Sequence, residues 1–439
     1  MSQNLAFFKQ TVNGHGSDLV GSVLILAGEA SGDYHAASLV KDVRRQFPNI
    51  SFTGIGGEKL ETAGMRLLLH YRDINTIGFS GGLSKLKSVL AAYNLMKSEL
   101  RSGKYDVFIP VDFPDVNIRL CNVAKKAGVK VCYYISPQIW AWRKRRIYKI
   151  AAVVDRMMTI FPFEEKMYSD VGVQANFVGH TMVRDIPAEV DKSSVKSELG
   201  IRDQRPLVTL APGSRNSEIA RVLPVMCSAA ESHLRTFPET QFVIPLAGPH
   251  LRELIQRILD ESCFNARVIH AETSKIMAAS DYGLVTSGTA TLQAALSRMP
   301  HAVVYILDKF SWVLATKFLM PLVMEPDLHV AIANMLCIKG QPGPDNPIEI
   351  MIKEGYRVPC LGCGRPLLVP EVLQHFATPE NLASWLERFR TDSNLRAAME
   401  KAFVRLREML EPLPSNPSPS DALLALILEK RGEATQLKF

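Results

Sequence analysis

The chain has 439 residues, which is too long for one compact core and fits two or three domains of ordinary size. It is 47% hydrophobic and 22% charged, as folded proteins usually are, and this composition excludes low complexity, a fibrous fold and global disorder. The net charge of +7 suits a phosphate-bearing ligand or an anionic membrane surface, but it is too weak to indicate nucleic acid by itself.

Cysteine usage and hydropathy predict the compartment. Seven cysteines, an odd number without dense spacing, argue against a secreted disulfide framework. Residues 1–21 lack the basic head and apolar run of a signal peptide. No apolar run reaches the roughly 20 residues that a membrane-spanning helix needs. We therefore expect a cytoplasmic protein that can still lie against a membrane.

The first part of the chain alternates short apolar runs, rich in β-branched residues, with amphipathic stretches. Runs that are apolar throughout are typical of buried parallel strands, and the stretches between them have helical spacing. This alternation predicts a βα series. The predicted strands are 22–27, 106–111, 130–135 and 155–160, and the predicted helices are 35–46, 84–100, 117–126 and 144–153.

A polar stretch, 187–196, separates this series from a second one. Two such series predict an α/β protein with two Rossmann-like, doubly wound domains facing a cleft, where ligands bind beyond the carboxyl ends of the strands. The expected domains are 1–185 and 186–410, and the second carries an inserted loop, 340–366, rich in Pro and Gly. A last helical segment, 411–439, is expected to pack back on an N-terminal domain, either of its own chain or of a neighbouring copy. The predicted strands of the second series are 207–211, 241–246, 267–270, 282–286 and 302–306.

Two turns that follow predicted strands of the first series carry polar residues. Small residues in Gly28–Asp33 let a ligand approach the backbone, and the next helix offers free N–H groups to an anion. A plain strand–helix turn with a polar N-cap is the alternative. In Val111–Asn117, Asp112 follows the strand directly and can act as a general base. A helix cap is the alternative for Asp112 and the preferred interpretation of Asp115.

The segment Tyr134–Arg146 contains two tryptophans, Trp140 and Trp142, followed by four basic residues, 143–146. Such a run can meet phosphates, a membrane surface or RNA, while a solvated helix face is the ordinary alternative. Because an indole ring tolerates one wet and one apolar side, the tryptophans favour an interfacial or sugar-facing role.

The second series begins with Ala211–Glu218, again a strand end followed by a turn. Gly213 and Ser214 are expected to open a helix whose free N–H groups favour a diphosphate, and Arg215 adds a permanently charged, forked donor. A purely structural turn seldom needs an arginine there, so phosphate binding is favoured. This charge takes the place of a metal, because the chain offers no convincing Mg²⁺ or Zn²⁺ ligand set.

Two weaker motifs follow. Ser287–Gln293 offers another helix start, with Ser287, Gly288 and Thr289 at the cleft, although a capped helix explains it equally well. The pair Cys360–Cys363 is a single CxxC without a second pair at standard spacing. Zinc or redox use is open, but an unpaired loop motif is favoured.

Together these segments resemble the lipid-A-disaccharide synthase family, a group of inverting glycosyltransferases with the two-domain GT-B architecture. The resemblance runs from about Leu24 to Leu336 and resumes weakly at 369–374. Six segments in one order over this length are not expected by chance. They are Gly28–Asp33 (GEASGD), Val111–Asn117 (VDFPDVN), Tyr134–Arg146 (YISPQIWAWRKRR), Phe177–Asp185 (FVGHTMVRD), Ala211–Glu218 (APGSRNSE) and Ser287–Leu296 (SGTATLQAAL).

The resemblance implies a reaction and its residues. UDP-2,3-diacylglucosamine donates its sugar to the 6-hydroxyl of 2,3-diacylglucosamine 1-phosphate, which gives a β-1′,6-linked disaccharide and UDP. Carried over by position, the general base is Asp112, the phosphate-binding arginine is Arg215 and the asparagine near the donor is Asn334. The other implied substrate contacts are Glu29, Ser31, Gly32, Asp33, Gly213, Ser214, Ser287, Gly288, Thr289 and Gln293.

Both implied substrates carry long acyl chains, so the active site is expected to open onto lipid. Leu83, Leu86, Val89 and Leu90 have helical spacing with lysines nearby, which suits an interfacial helix against anionic lipid. The spacing alone favours an ordinary core-facing helix, and only the lipid nature of the implied substrates makes the two interpretations equal. We therefore expect peripheral contact with the cytoplasmic face of the inner membrane, no nucleic-acid partner, no cofactor and no metal. A homodimer is left open.

The chain departs from the family pattern at two places. Gln293 stands where the family usually has a Glu near the nucleotide ribose, so nucleotide affinity is expected to change with the lost charge. The loop 340–366 has no recognised counterpart. Two rival functions are kept: another GT-B enzyme acting on UDP-sugars, such as an epimerase or another lipid-linked transferase, and a non-catalytic membrane or RNA adaptor that uses the basic run 143–146.

Overall fold

The computed structural model describes residues 8, 18–75, 82–140, 145–201, 205–307, 329–340 and 343–432, without the side chains of residues 75 and 82–87. The chain divides into two compact units. Unit 1 comprises Met1–Thr181 and Pro412–Phe439, and unit 2 comprises Met182–Glu411. Among the described helices, none has both the length and the apolar character needed to cross a membrane.

The described residues of unit 1 form seven parallel strands and the helices that cover them. The strands are β1 (Gly21–Ala27), β2 (Ile50–Gly56), β3 (Arg66–His70), β4 (Val107–Val111), β5 (Lys130–Tyr134), β6 (Arg156–Thr159) and β7 (Gln174–Phe177). The helices are α1 (Ala30–Gln46), α2 (Glu58–Thr62), α3 (Tyr71–Asn75), α4 (Gly82–Arg101), α5 (Pro114–Lys126), α6 (Arg146–Ala151), α7 (Pro162–Ser169) and α18 (Pro419–Arg431).

The sheet of unit 1 has the strand order β3-β2-β1-β4-β5-β6-β7. Every residue of β4 is buried, as expected for a parallel strand covered by helices. The strand order reverses between β1 and β4, which makes their carboxyl ends the switch point of this sheet. Strands β2, β3 and β7 are not among the strands predicted from the sequence.

The last helix completes the core of unit 1. α18 packs against α1 and against β4, β5 and β6 and buries each residue from Ala422 to Leu428. Each Leu or Ile buried there contributes about 1.5–3 kcal/mol. Glu429 of this helix lies 3.6 Å from the guanidinium of Arg156 and 3.7 Å from the ammonium of Lys130. The segment from 412 onward thus belongs to the unit formed by the N-terminal residues.

Unit 2 contains a six-stranded parallel sheet and a short antiparallel hairpin. The strands are β8 (Leu207–Ala211), β9 (Gln241–Pro245), β10 (Arg267–Ile269), β11 (Tyr282–Thr286), β12 (His301–Tyr305), β13 (Val358–Pro359), β14 (Pro366–Leu367) and β15 (Glu371–Leu373). The helices are α8 (Thr181–Asp185, which contains the unit boundary), α9 (Lys192–Glu198), α10 (Asn216–Thr236), α11 (Arg252–Glu261), α12 (Thr273–Ala279), α13 (Thr289–Leu296), α14 (Ile332–Lys339), α15 (Pro347–Lys353), α16 (Pro379–Thr391) and α17 (Ser393–Leu410).

The large sheet of unit 2 has the order β10-β9-β8-β11-β12-β15, so its switch point lies between β8 and β11. The hairpin is formed by β13 and β14.

The segment 340–366 is more ordered than the loop expected there. It contains α15 and the β13–β14 hairpin. Asn346 caps α15 by accepting a hydrogen bond from the N–H of Ile348 at 3.0 Å, and Pro347 occupies the first turn. This Asn-Pro pair is a typical helix start that the high Pro and Gly content of the segment obscures.

Candidate active site

In unit 1 the two predicted polar turns lie side by side. Ala27, the last residue of β1, pairs with Val111, the last residue of β4. The turn 28–33 and the residues after Val111 therefore leave the sheet next to each other. Gly28 is packed so closely that an added Cβ would lie 3.0 Å from the ring of Phe113. Only a glycine lets these two turns meet without displacing that ring.

Asp112 lies on a strained piece of backbone. Asp112 and Phe113 have φ values of +44° and +46°, in the left-handed region that non-glycine residues rarely adopt, at a cost of roughly 1–2 kcal/mol each. Hydrogen bonds hold this shape: the carbonyl oxygen of Asp112 accepts from the hydroxyl of Tyr133 and from the amide of Asn117, both at 2.7 Å. Side-chain hydrogen bonds therefore maintain the strained backbone.

The carboxyl group of Asp112 is suited to accept a proton near neutral pH. Burial, and secondarily the negative charge of Glu29, raise the pKa of Asp112 from its ordinary value of 3.8 to about 6. The N-cap position of α5 belongs to Phe113 and carries no side-chain cap bond, so Asp112 is not used as the cap. Asp115 is not the cap either, because its carboxylate pairs with Arg146 at 2.6 Å.

In unit 2 the corresponding switch point carries positive charge. Ala211 at the end of β8 pairs with Val285 of β11, so the turns after the two strands are neighbours. Arg215 precedes α10 and its side chain is 77% exposed. The guanidinium lies 2.7 Å from a carboxylate oxygen of Glu218, and the other oxygen accepts from the N–H of Ser214 at 3.3 Å. Glu218 thus orients two donors of the kind that bind phosphate oxygens.

Gly213 is required by the shape of this turn. Its φ of +116° is rarely adopted by L-amino acids, and an added Cβ would lie 2.7 Å from a carboxylate oxygen of Glu218. The turn and the first turn of α10 together form an exposed helix N-terminus, with Ser214 and Asn216 at the surface. Its partial positive charge adds to that of Arg215.

The second turn of unit 2 is open at Gly288 and Thr289. Both residues are exposed at the start of α13, and no atom lies within 4 Å of a Cβ built on Gly288. Gln293, one turn further, is half-buried. The hydroxyl of Ser287 donates to the carbonyl oxygen of Val330 at 2.8 Å, so this hydroxyl has a structural partner.

Comparison with known proteins identifies the family of this chain. A family model described as lipid-A-disaccharide synthetase matches residues 23–337. The chain belongs to this family. It is 33% identical over 409 residues to the lipid-A-disaccharide synthase 1 of Legionella pneumophila strain Philadelphia 1, covering 93% of this chain and 98% of that protein. It is 36% identical over 397 residues to the lipid-A-disaccharide synthase of Chromobacterium violaceum, covering 89% and 93% of the two chains.

Solved structures with low sequence identity share the fold. A UDP-GlcNAc 2-epimerase from Neisseria meningitidis, bound to UDP-GlcNAc, has a TM-score of 0.55 at 11% identity and covers 94% of this chain and 100% of its own. The calicheamicin glycosyltransferase CalG4 has a TM-score of 0.53 at 11% identity, with 93% and 98% covered. These likenesses confirm the predicted fold class, two parallel-sheet α/β domains of the GT-B type.

Within the turn of unit 1, one expected substrate contact has a structural role and another is buried. Asp33 is buried, and its carboxylate accepts hydrogen bonds from the N–H groups of Gly57, Lys59 and Leu60 at 2.6, 3.2 and 3.2 Å. It therefore satisfies the free N-terminus of α2. Gly32 is buried where an added Cβ would meet Ala27 and Val111 at 3.4 Å. Glu29 and Ser31 are the exposed members of this turn.

Asn334, which is predicted to lie near the donor, has a structural role in this chain. It is fully buried, and its amide nitrogen donates to the carbonyl oxygen of Val369 at 2.9 Å and to Glu371 at 2.8 Å. Its carbonyl oxygen accepts from the N–H groups of Leu368 and Val369, both at 2.9 Å. The hydrogen-bonding capacity of the side chain is filled, so Asn334 fixes the segment before β15.

The expected interfacial role of Trp140 is wrong. Its ring is buried against Phe161 and Phe163, and its N–H donates to the carboxylate of Glu164 at 2.9 Å. Burial raises the pKa of Glu164 to about 7. Residues 141–144, which include Trp142 and half of the basic run, lie outside the described residues.

The proposed membrane helix is partly a core helix. Val89 packs against the buried core of unit 1, together with Tyr93, while Met96 and Leu100 of the same helix are fully buried. Leu90 points away from that core and is 55% exposed. The side chains of Leu83 and Leu86 lie outside the described residues.

Tyr133 and Asn117 were not identified from the sequence, although both hold the carbonyl oxygen of Asp112 by hydrogen bonds. Asn117 lies within a recognised motif, which was a usable signal. Tyr133 is an ordinary apolar position of a buried strand, and nothing in the sequence distinguishes it.

Proposed function

We propose that this chain transfers the sugar of UDP-2,3-diacylglucosamine to the 6-hydroxyl of 2,3-diacylglucosamine 1-phosphate, with Asp112 as the general base and the Arg215 turn as the diphosphate site. The observation that supports this most is Asp112. In a member of the lipid-A-disaccharide synthetase family, a half-buried carboxylate with a pKa of about 6 follows the strand at the switch point.

Unit 1 supplies the base in this proposal. As the acceptor oxygen forms its bond to the anomeric carbon, the hydroxyl proton passes to the carboxylate of Asp112. A pKa of about 6 leaves this carboxyl group mostly ionised at neutral pH while keeping it a stronger base than an ordinary aspartate. Glu29 and Ser31, the exposed residues of the neighbouring turn, are assigned to substrate contact.

Unit 2 supplies the positive charge. The bond between the anomeric carbon and the diphosphate oxygen breaks, and UDP leaves with the additional negative charge. The guanidinium of Arg215, the N–H of Ser214 and the N-terminus of α10 stabilise that charge without a metal. Gly288, Thr289 and Gln293 are assigned to the nucleotide because they form the neighbouring exposed helix start at the same switch point.

The test is an assay with both acylated sugars, in which the disaccharide is detected by mass spectrometry and UDP is quantified. Wild type and Asp115→Asn are expected to form both products, and Asp112→Asn is expected to form almost none. Asp115 is a matched control because it lies in the same motif and pairs with Arg146 at the surface. Epimerisation of a non-acylated UDP-sugar, with no disaccharide formed, would contradict the proposal.

We also propose peripheral contact with the cytoplasmic face of the inner membrane. The lipid nature of the two proposed substrates supports it, and so does the exposed Leu90 on α4. In vesicle sedimentation without detergent, Leu90→Glu is expected to bind anionic vesicles more weakly than wild type. Leu413→Glu is the control, because Leu413 is 66% exposed elsewhere in unit 1. Equal binding by all three chains would remove α4 from the proposal.

A further inference from the structure

Three residues of unit 2 that can bind metal lie together outside the candidate active site. They are His329, which precedes α14, and Cys360 and Cys363, which lie between β13 and β14. One ring nitrogen of His329 and the two Sγ atoms are all within 4.8 Å of one another. In a tetrahedral zinc site such atoms are about 3.5–3.8 Å apart, so small side-chain rotations bring them to binding distance.

The two cysteines are held by a tight turn of the hairpin. The N–H of Cys363 points at the sulfur of Cys360, with a nitrogen–sulfur distance of 3.5 Å. Two backbone hydrogen bonds close the turn. The N–H of Cys360 donates to the carbonyl oxygen of Arg365 at 2.7 Å, and the N–H of Gly364 donates to the carbonyl oxygen of Cys360 at 2.9 Å. An N–H directed at sulfur favours the thiolate, which is the form that binds metal.

The histidine is oriented as metal-binding histidines are. Its Nδ1 lies 3.3 Å from the carboxylate of Glu371, and its side chain is 4% exposed. Glu371 also accepts hydrogen bonds from the N–H groups of Val330 and Ala331 and from the amide of Asn334, so its position is fixed. A carboxylate on one ring nitrogen commonly directs the other nitrogen to a metal.

The other ring nitrogen has no hydrogen-bond partner among the described residues. The Nε2 of His329 is buried and makes no hydrogen bond to any described residue. Leaving a buried polar atom unsatisfied costs about 1–3 kcal/mol. A disulfide between Cys360 and Cys363 would leave that cost in place, whereas a metal bound by all three residues removes it.

We propose that His329 Nε2, Cys360 Sγ and Cys363 Sγ bind one Zn²⁺ ion, with water as the fourth ligand. Two thiolates and an imidazole are ligands that zinc prefers, and Cys363 is exposed, so water can reach the fourth position. The ion fastens the β13–β14 hairpin to the segment before α14. This inference departs from the expectation of an unpaired CxxC motif, and it does not rest on the proposed transferase reaction.

Each cysteine releases its proton to the solvent as its sulfur binds Zn²⁺.

The test loads the full-length chain with zinc, removes the excess ion and measures the bound metal by inductively coupled plasma mass spectrometry. One zinc ion per chain is expected for wild type and almost none for Cys360→Ser and Cys363→Ser. Cys263→Ser is the matched control, since Cys263 is an exposed cysteine of unit 2 outside the cluster, and it is expected to keep its zinc.

Two further measurements decide between metal and other uses of the cysteines. Zinc is expected to raise the melting temperature of wild type and of Cys263→Ser but not of Cys363→Ser. The Co²⁺-loaded wild type is expected to show a thiolate-to-cobalt charge-transfer band that Cys363→Ser weakens. The proposal would be overturned if the wild type retained no zinc after loading, or if Cys263→Ser lost as much zinc as the other two variants. A Cys360–Cys363 disulfide in the chain isolated under reducing conditions would also overturn it.

Discussion

The switch points of the two units have the same topology and opposite electrostatic character. In unit 1 the turn after β4 half-buries the carboxyl group of Asp112 beside Glu29, on a strained backbone. In unit 2 the turn after β8 exposes Arg215 at a helix N-terminus. Burial raises the basicity of a carboxylate, whereas a diphosphate needs accessible donors. The sheet therefore determines where each site lies, while a few turn residues determine its chemistry.

Replacement of Asp112 tests the acidic switch point of unit 1 and is expected to change turnover most. Asp112→Asn removes the proposed base, so turnover is expected to fall about 10²–10⁴-fold with the fold intact. The rate of disaccharide formation and the circular dichroism spectrum check this, with Asp115→Asn as the control. Near-normal turnover by the folded Asp112→Asn variant would mean that the base lies elsewhere.

The same variant also carries a prediction about stability. The folded-state pKa of Asp112, about 6, is above its ordinary value of 3.8, so ionisation of this group opposes folding as the pH rises through 6. Asp112→Asn is expected to be more stable than wild type at pH 8, by at most about 3 kcal/mol. The difference is expected to disappear below about pH 4. Chemical denaturation at the two pH values measures it.

Replacement of Arg215 tests the basic switch point of unit 2. Arg215→Ala removes a charge-assisted donor to the diphosphate, and UDP affinity is expected to fall roughly 10–100-fold. Calorimetric titration with UDP measures it. Arg235→Ala is the control because Arg235 is exposed at the other end of the same helix. If Arg215→Ala and Arg235→Ala bind UDP equally well, the diphosphate site does not lie at this turn.

A smaller effect concerns the departure from the family pattern. Gln293→Glu replaces a neutral acceptor by a carboxylate that accepts more strongly from the ribose hydroxyls. UDP affinity is expected to rise about 2–5-fold, also by calorimetry. Unchanged or weaker binding would show that this half-buried side chain does not meet the ribose.

The smallest effect concerns the coupling between Glu29 and Asp112. Glu29→Gln removes a negative charge that raises the pKa of Asp112, so that pKa is expected to fall. The acid limb of the kcat/KM profile should shift to lower pH by the same amount. Asp115→Asn is expected to leave the acid limb of the kcat/KM profile unchanged. A shift of that limb to higher pH in Glu29→Gln would contradict the proposed effect of Glu29 on the pKa of Asp112.

The fold class, the family and the position of Asp112 were accessible from the sequence. Apolar runs identify the central parallel strands, and the residue after such a strand lies at the carboxyl edge of the sheet wherever the strand is placed. The turn 211–218 was accessible for the same reason, because its glycine and arginine directly follow β8.

What could not be predicted depends on partners far away in the chain. Asp33 has the sequence context of a ligand-binding turn, and only the fold brings it to the N–H groups of Gly57 and Leu60. Asn334 is likewise satisfied by the segment before β15. The CxxC pair supplies only two metal ligands in the sequence, and the fold brings His329 beside it as a third. Each of these assignments needs a contact that local spacing does not contain.

The placement of α18 has a consequence for biosynthesis. Because Ala422–Leu428 fill the core of unit 1, that unit cannot finish folding until the whole of unit 2 has been translated. A nascent chain that stalls inside unit 2 presents an uncovered apolar face on β4, β5 and β6, which is a target for chaperones and proteases. Quality control at the ribosome can therefore reject an incomplete chain.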